Sequence, residues 1–345
     1  MKRIVLVVFV MFALANYVNA QVKNAKARSN APLKLVATIP LPGLHDGDFD
    51  HFAPDIEGHR LFLTAEENEK VLVFDTNTNK LIHTIADVKA PHSALFRPDL
   101  KKLFVVDGDD SAVKVFDTDS YKQVGRIDLA ADADSMVYDS ATKFMYVVNG
   151  GRGAKTPYSF ITAVDTSAVH KVKDIKVASD RVEAMALERN GPRLFCNITG
   201  KDSVGVFDRN TGALLATWPL PEGAKQNVAL ALDEANSRLL VVTRQPGNLI
   251  ALNSNDGKVI ARVPAVGMVD DMAYDVKQKR LYLSGDQFVD VFEQKDADHY
   301  SLLARMPGSF RAKTAILVPE LHRYYLAVPH HGHKNAEVRV YQTQP

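Results

Sequence analysis

The chain has 345 residues, 42 Lys and Arg against 41 Asp and Glu, a formal net charge of +1 and one cysteine. Scattered, balanced charge argues against the basic stripe on which nucleic-acid binders depend, and a single cysteine excludes both an intramolecular disulfide and a Cys-x-x-Cys-His haem site. No run after residue 20 is long and apolar enough to span a bilayer, so no transmembrane segment is expected.

In chain order, Lys2 and Arg3 precede an apolar run at 4–14 and the small-residue site Val18-Asn19-Ala20. This pattern reads as a signal peptide over 1–20, cleaved after Ala20, and predicts an exported protein of the bacterial periplasm or exterior. Residues 21–32 read as a polar, mobile leader, and 33–345 as one domain. The stretch LKLVATIPL at 33–41 reads as a strand with no strand before it to pair with.

From there a phrase recurs. A short apolar strand, usually led by a basic residue, reads RLFL at 60–63, KLFV at 102–105, FMYV at 144–147, RLFC at 193–196, RLLV at 238–241, RLYL at 280–283 and RYYL at 323–326. Each is followed by an alternating run ending in an acid or amide: VLVFD at 71–75, VKVFD at 113–117, ITAVD at 161–165, VGVFD at 204–208, LIALN at 249–253, VDVFE at 289–293 and VRVYQ at 338–342. Seven copies with a period of roughly 40–49 residues, all of β character, predict a seven-bladed β-propeller of four-stranded antiparallel blades. In each blade, strand A precedes the basic anchor, strand B carries the anchor phrase, strand C the alternating run, and strand D follows a turn. Asp75 and Asp208 read as turn residues that bond their own backbone, and Cys196 as a small buried residue. The seventh copy has no strand D, so residues 33–41 are expected to complete it and close the ring, leaving no open joint.

With strand A lining the central channel, the A–B and C–D turns share a bottom face, and the D–A and B–C connections share a top face. The bottom turns are short and alike; the top connections differ, and variable loops on a rigid scaffold are where function concentrates. Aligning the copies on the strand B anchor places Asp50, His92, Asp134, Glu183, Val228, Asp270 and Lys313 at the channel mouth, followed by His51 and Asp271 at the next position of their blades; Asn227 stands one step earlier in its copy. Carboxylates and imidazoles converging on one axis suit a polar small molecule or a cation, or acid–base work if like charges separate their pKa values. Arg152, in the long loop 149–158, and His330 and His331, in the loop 329–335, are further top-face candidates. No catalytic residue, resident cofactor or defined metal site is assigned, although a divalent cation would suit such a ring. No Gly-x-Ser-x-Gly elbow is present.

The Arg-Leu-Phe-Val and Val-x-Val-Phe-Asp-Thr phrases at this period resemble the exported YVTN-repeat, YncE-like seven-bladed propellers, over roughly residues 33–342. Stretches such as FDHF at 49–52, DADS at 132–135, DDMAYD at 270–275 and LAVPH at 326–330 are similar to a bacterial subgroup of that family. The resemblance implies an exported propeller, in some members one that binds single-stranded DNA. Related propellers include lactonases and metal-dependent hydrolases with carboxylate and amide ligands at the mouth, a set that Glu183, Asn227 and Asp270 echo. The expected function is a binding or interaction scaffold, with a protein or small-molecule ligand docked on the top face and the chain monomeric. The alternatives are a metal-assisted hydrolase or lactonase and a DNA-binding propeller, the second opposed by the charge balance.

Overall fold

The computed structural model describes residues 31–345; the signal and most of the leader assigned above lie outside the described residues. Twenty-eight strands form seven four-stranded antiparallel sheets arranged as a seven-bladed propeller. Blade one is β2 (Phe52–Asp55), β3 (Arg60–Ala65), β4 (Lys70–Asp75) and β5 (Lys80–Ile85). Its pattern repeats through blade six, which ends at β25 (Tyr300–Pro307).

Blade seven is β26 (Ala315–Val318), β27 (Arg323–Val328), β28 (Ala336–Thr343) and the N-terminal β1 (Leu33–Leu41), in that spatial order. β1 runs antiparallel to β28 from Leu33 opposite Thr343 to Leu41 opposite Ala336. The ring therefore closes through the first strand, as its unpartnered sequence requires.

The alternating runs place alternate side chains on opposite faces of each blade. Each face packs against the next blade, so the core consists of seven apolar seams rather than one centre. Phe62, Val73 and Val105 share the seam of blades one and two, for example, and Phe195, Trp218 and Leu239 that of blades four and five. The outer strand of every blade carries a register shift against strand C, such as Val73/Phe74, Val115/Phe116 and Val206/Phe207. These bulges twist seven otherwise open edges away from further pairing.

In blades one, four, five and six the basic residue that opens strand B is a bottom-face staple to the next blade. Arg60 bonds Asp55 in its own blade and donates to the Thr118 carbonyl of the next at 2.6 Å. Arg193 reaches the Ser254 carbonyl, Arg280 that of Gln344, and Arg238 pairs with Asp298 at 2.5 Å. Blade three has Phe144 there; Arg209, from the turn of blade four, reaches back to its Asp139 at 3.4 Å instead. The turn acids act as read: Thr78 N–H donates to Asp75 at 2.6 Å and Thr211 N–H to Asp208 at 2.9 Å. Cys196 is buried, with its thiol pushed far up by burial.

Candidate functional site

Mouth residues stand where the chain enters strand A, and the end of strand B fixes them there. Asp50 N–H donates to the Thr64 carbonyl at 3.1 Å, Asp134 N–H to Val148 at 2.9 Å and Glu183 N–H to Asn197 at 2.9 Å. Side chains at the end of strand B then tie one blade's mouth to the next. Thr64 Oγ1 donates to the His92 carbonyl at 2.7 Å, Asn197 Nδ2 to Val228 at 2.8 Å and Ser284 Oγ to Lys313 at 2.8 Å. The backbone register thus repeats around the axis while the side chains differ.

They enclose a polar cavity of about 370 Å³ lined by Asp50, His51, Glu66, His92, Asp134, Glu183, Arg244, Asp270 and Lys313, among others. Seven of these nine follow from the strand A alignment. Glu66 and Arg244 do not: Glu66 stands on a B–C connection and Arg244 at the end of strand B, six residues after the basic anchors Arg60 and Arg238. Superposing the copies at that second position would have exposed them.

The groups fall into two arcs. In the first, every charge has a partner. His92 Nδ1 donates to Asp50 Oδ2 at 2.6 Å; His51 Nδ1 lies 3.0 Å from Asp271 Oδ1, and its Nε2 3.4 Å from Asp50 Oδ1. Asp271 also accepts from Ala315 N–H at 2.8 Å, which fixes it behind His51. Asp270 is held between Arg244 and Lys313, the latter at 2.6 Å. Lys313 is also 3.3 Å from Asp48, whose second partner is Arg311 at 2.5 Å.

Burial works against ionisation here, and the pairing overrides it. Asp50 is held well below the usual carboxylate range by His51 and by the bond from His92. His92 is raised to about 10 against its burial by Asp50, and His51 well above its ordinary value by Asp271 and Asp50. Both imidazoles are therefore cations at neutral pH. Burial is the main reason the Asp271 carboxyl is raised, with His51 opposing it.

The second arc has acids without adequate partners. Among the described residues no group donates to the Glu66 carboxyl. Asp134 has only His92 Nδ1 at 3.7 Å, beyond hydrogen-bond distance, and Glu183 only Arg181 at a long 3.4 Å. Burial pushes Glu66 and Glu183 up to about 7 and Asp134 up to about 6; the nearby negative charges of Asp50 and Asp134 add to it. Each carboxyl thus changes charge near neutral pH.

The other candidates are placed elsewhere. Asn227 is fully buried and does not line the cavity, a correction to its assignment as a ligand. The register shift between Asn227 and Leu230 sets its side chain in the wall, where Nδ2 donates to Asn197 Oδ1 at 2.8 Å and to the Ser203 carbonyl at 2.9 Å. Arg152 lies 3.2 Å from Asp180 at the rim of a side cavity of about 200 Å³, which shares Asp134 and Glu183 with the mouth. His330 pairs with Asp46 at 2.6 Å, and His331 stacks on Phe310 at 4.1 Å between ring centroids. These two imidazoles take up separate contacts outside the mouth.

Fold and site together define a seven-bladed β-propeller with a charged cavity at one end of its channel. No family model matches the sequence, and no curated protein matches it. Among solved structures, the chain is similar to the hydrazine synthase of Kuenenia stuttgartiensis, with a TM-score of 0.70 and 18% identity over 83% of this chain and 95% of that one. It is also similar to a chain of the mitotic checkpoint complex, with a TM-score of 0.73 and 13% identity over 90% of this chain and 92% of the other. At such identities the likeness is one of fold alone.

Proposed function

We propose that this protein is an exported propeller of the YVTN-repeat type that binds a small, polar, cation-bearing ligand at the channel mouth. The observation that carries the reading is the weakly partnered set Glu66, Asp134 and Glu183, from blades one, three and four, around one cavity. Three half-buried carboxyls around one cavity, none with a cation in close contact, are costly to ionise together. An ammonium or guanidinium group among them would supply the missing charge and restore their ordinary acidity. The same acids repel a phosphate backbone, which favours this reading over DNA binding. Export through residues 1–20 belongs to the proposal and predicts a mature N-terminus at Gln21.

The test is calorimetric titration of the mature protein with n-butylammonium at pH 8. Saturable binding that falls at least 100-fold in the E66Q/D134N/E183Q variant supports the reading, and no binding by the wild type removes it.

A second reading, a divalent-cation site serving a hydrolase, rests on Asp50, Glu66 and His92, whose ligand atoms all lie within 4.8 Å of one another. It requires a metal to displace the proton that His92 shares with Asp50, against a strongly raised imidazole pKa. Zinc titration with simultaneous assay of ester and lactone turnover separates the two: stoichiometric zinc with chelator-sensitive turnover would favour the hydrolase.

A further inference from the structure

The mouth is not simply acidic. Where blades five to seven meet it, the cavity-lining cations Arg244 and Lys313 share one cavity-lining carboxylate, Asp270; Asp48, outside the cavity, pairs with Arg311 at 2.5 Å and lies 3.3 Å from Lys313. Arg244 spends Nε on the Val269 carbonyl at 3.0 Å and Nη2 on Asp270, and no partner engages Nη1 among the described residues. Lys313 lines the cavity beside it. On the other side, Asp134 and Glu183 have only Arg181 and a distant His92 between them. Asp134 in blade three and Glu183 in blade four are each three blades from Lys313 in blade seven, the largest separation a ring of seven allows, while Arg244 in blade five stands between them, one blade from Glu183. Between the poles, His51, His92, Asp50 and Asp271 balance as two cations on two anions, and Glu66 of blade one adds a further acid close to Asp50 and His92.

We infer that the ligand is a zwitterion, an amino-carboxylate whose ammonium group lies at Asp134 and Glu183 and whose carboxylate bridges Arg244 and Lys313. The inference rests on the cation-binding reading above and adds a polarity to it. Such a ligand leaves the net charge of the mouth unchanged and fills the unused donors and the unused acceptors at once. A simple amine would fill only one side, and a simple carboxylate would meet the acidic arc uncompensated. A charge-assisted bond to guanidinium adds direction as well as energy.

The experiment uses the full mature protein and three probes of equal chain length: 4-aminobutyrate, n-butylammonium and butyrate, with glycine to 6-aminohexanoate as a length series. The expected result is 4-aminobutyrate, or one member of the series, binding at least tenfold tighter than its matched amine, with butyrate weakest. Arg244→Gln should reduce that ratio to within about threefold, because the carboxylate loses a charge-assisted bond worth about 1.4 kcal/mol per tenfold. Lys313→Met, which leaves Arg244 on Asp270, should lower the ratio independently, so one misfolded variant does not leave the question open. Amine and amino acid binding equally well would overturn the zwitterion while leaving the cation site standing. Butyrate binding as tightly as 4-aminobutyrate would overturn both.

Discussion

The strand A acids of the two arcs stand at the same backbone position of their blades, yet they behave oppositely. Asp50 and Asp270 sit in short ion pairs, whereas Asp134 and Glu183, two or three blades away, have no close cation and are held partly neutral. Burial alone does not distinguish them, since it penalises charge in both arcs; the difference is a cation in close contact, at 2.6 Å on Asp50 and Asp270 against 3.4 Å or more on Glu183 and Asp134. The propeller tolerates such contrast because each mouth residue hangs from its own blade and is fixed by its own strand B. The paired arc serves the apo structure. The unpaired arc costs the apo structure stability, which a bound cation would recover.

The largest expected effect comes from breaking the paired arc. Asp50→Asn leaves the half-buried His92 imidazolium without its close counterion, while His51 keeps Asp271, and should cost about 2–3 kcal/mol, below the range for removing one member of a fully buried pair. Chemical denaturation at pH 7 reads it. An unchanged midpoint would mean that the pairing does not hold the mouth together.

The corresponding change in the unpaired arc should have the opposite sign. Glu66→Gln and Glu183→Gln should each stabilise the apo protein at pH 8 by about 1–2 kcal/mol, after discounting for solvent screening, and do much less at pH 5. The sign follows from proton linkage. A carboxyl raised to about 7 in the folded state binds more protons there than in the unfolded chain between about pH 4.5 and 7, so folding stability falls as pH rises through that window. His92 works differently: its folded pKa of about 10 gives a stabilisation complete below pH 6.5 and lost only as pH climbs through 10. A melting profile that rose from pH 5 to 7 would contradict the account of the acidic arc.

The same acids predict ligand affinity. Binding of n-butylammonium should tighten by at least tenfold from pH 5.5 to pH 8 as Asp134, Glu66 and Glu183 ionise, and a flat profile would place the ligand elsewhere. The smallest effects belong to Arg152→Gln, His330→Gln and His331→Gln. Their contacts lie outside the main cavity, so each should leave butylammonium affinity within about twofold, in the range of ordinary surface substitutions.

Much of the fold was legible because a repeat states the same local rule seven times. The alternating runs specify strands, the turn acids specify the C–D connections, and a blade lacking its outer strand calls for residues 33–41. The strand A ring was legible for the same reason: a position fixed by the register repeats whatever its side chain. Glu66 and Arg244 were missed because their position varies in kind. Its other copies include Gly108, Gly150 and Pro329, which look like loop punctuation. Gly108 has a steric purpose there, since a Cβ would lie 2.8 Å from His92 Nε2. Asn227 was misplaced by a bulge that no periodicity announces. The division into two arcs was not legible at all, because it depends on which charges meet across blades, such as His92 with Asp50 and Arg244 with Asp270.

The central claim, that the mouth holds neutral carboxyls awaiting a cation, is tested most directly by counting protons. Titration with n-butylammonium at pH 6.5, repeated in two buffers of different ionisation enthalpy, gives the number released on binding. The account predicts a net release of about 0.5–2 protons per site as raised carboxyls return toward their ordinary range. Binding with no proton release would mean that these acids are already ionised and paired, and would contradict it.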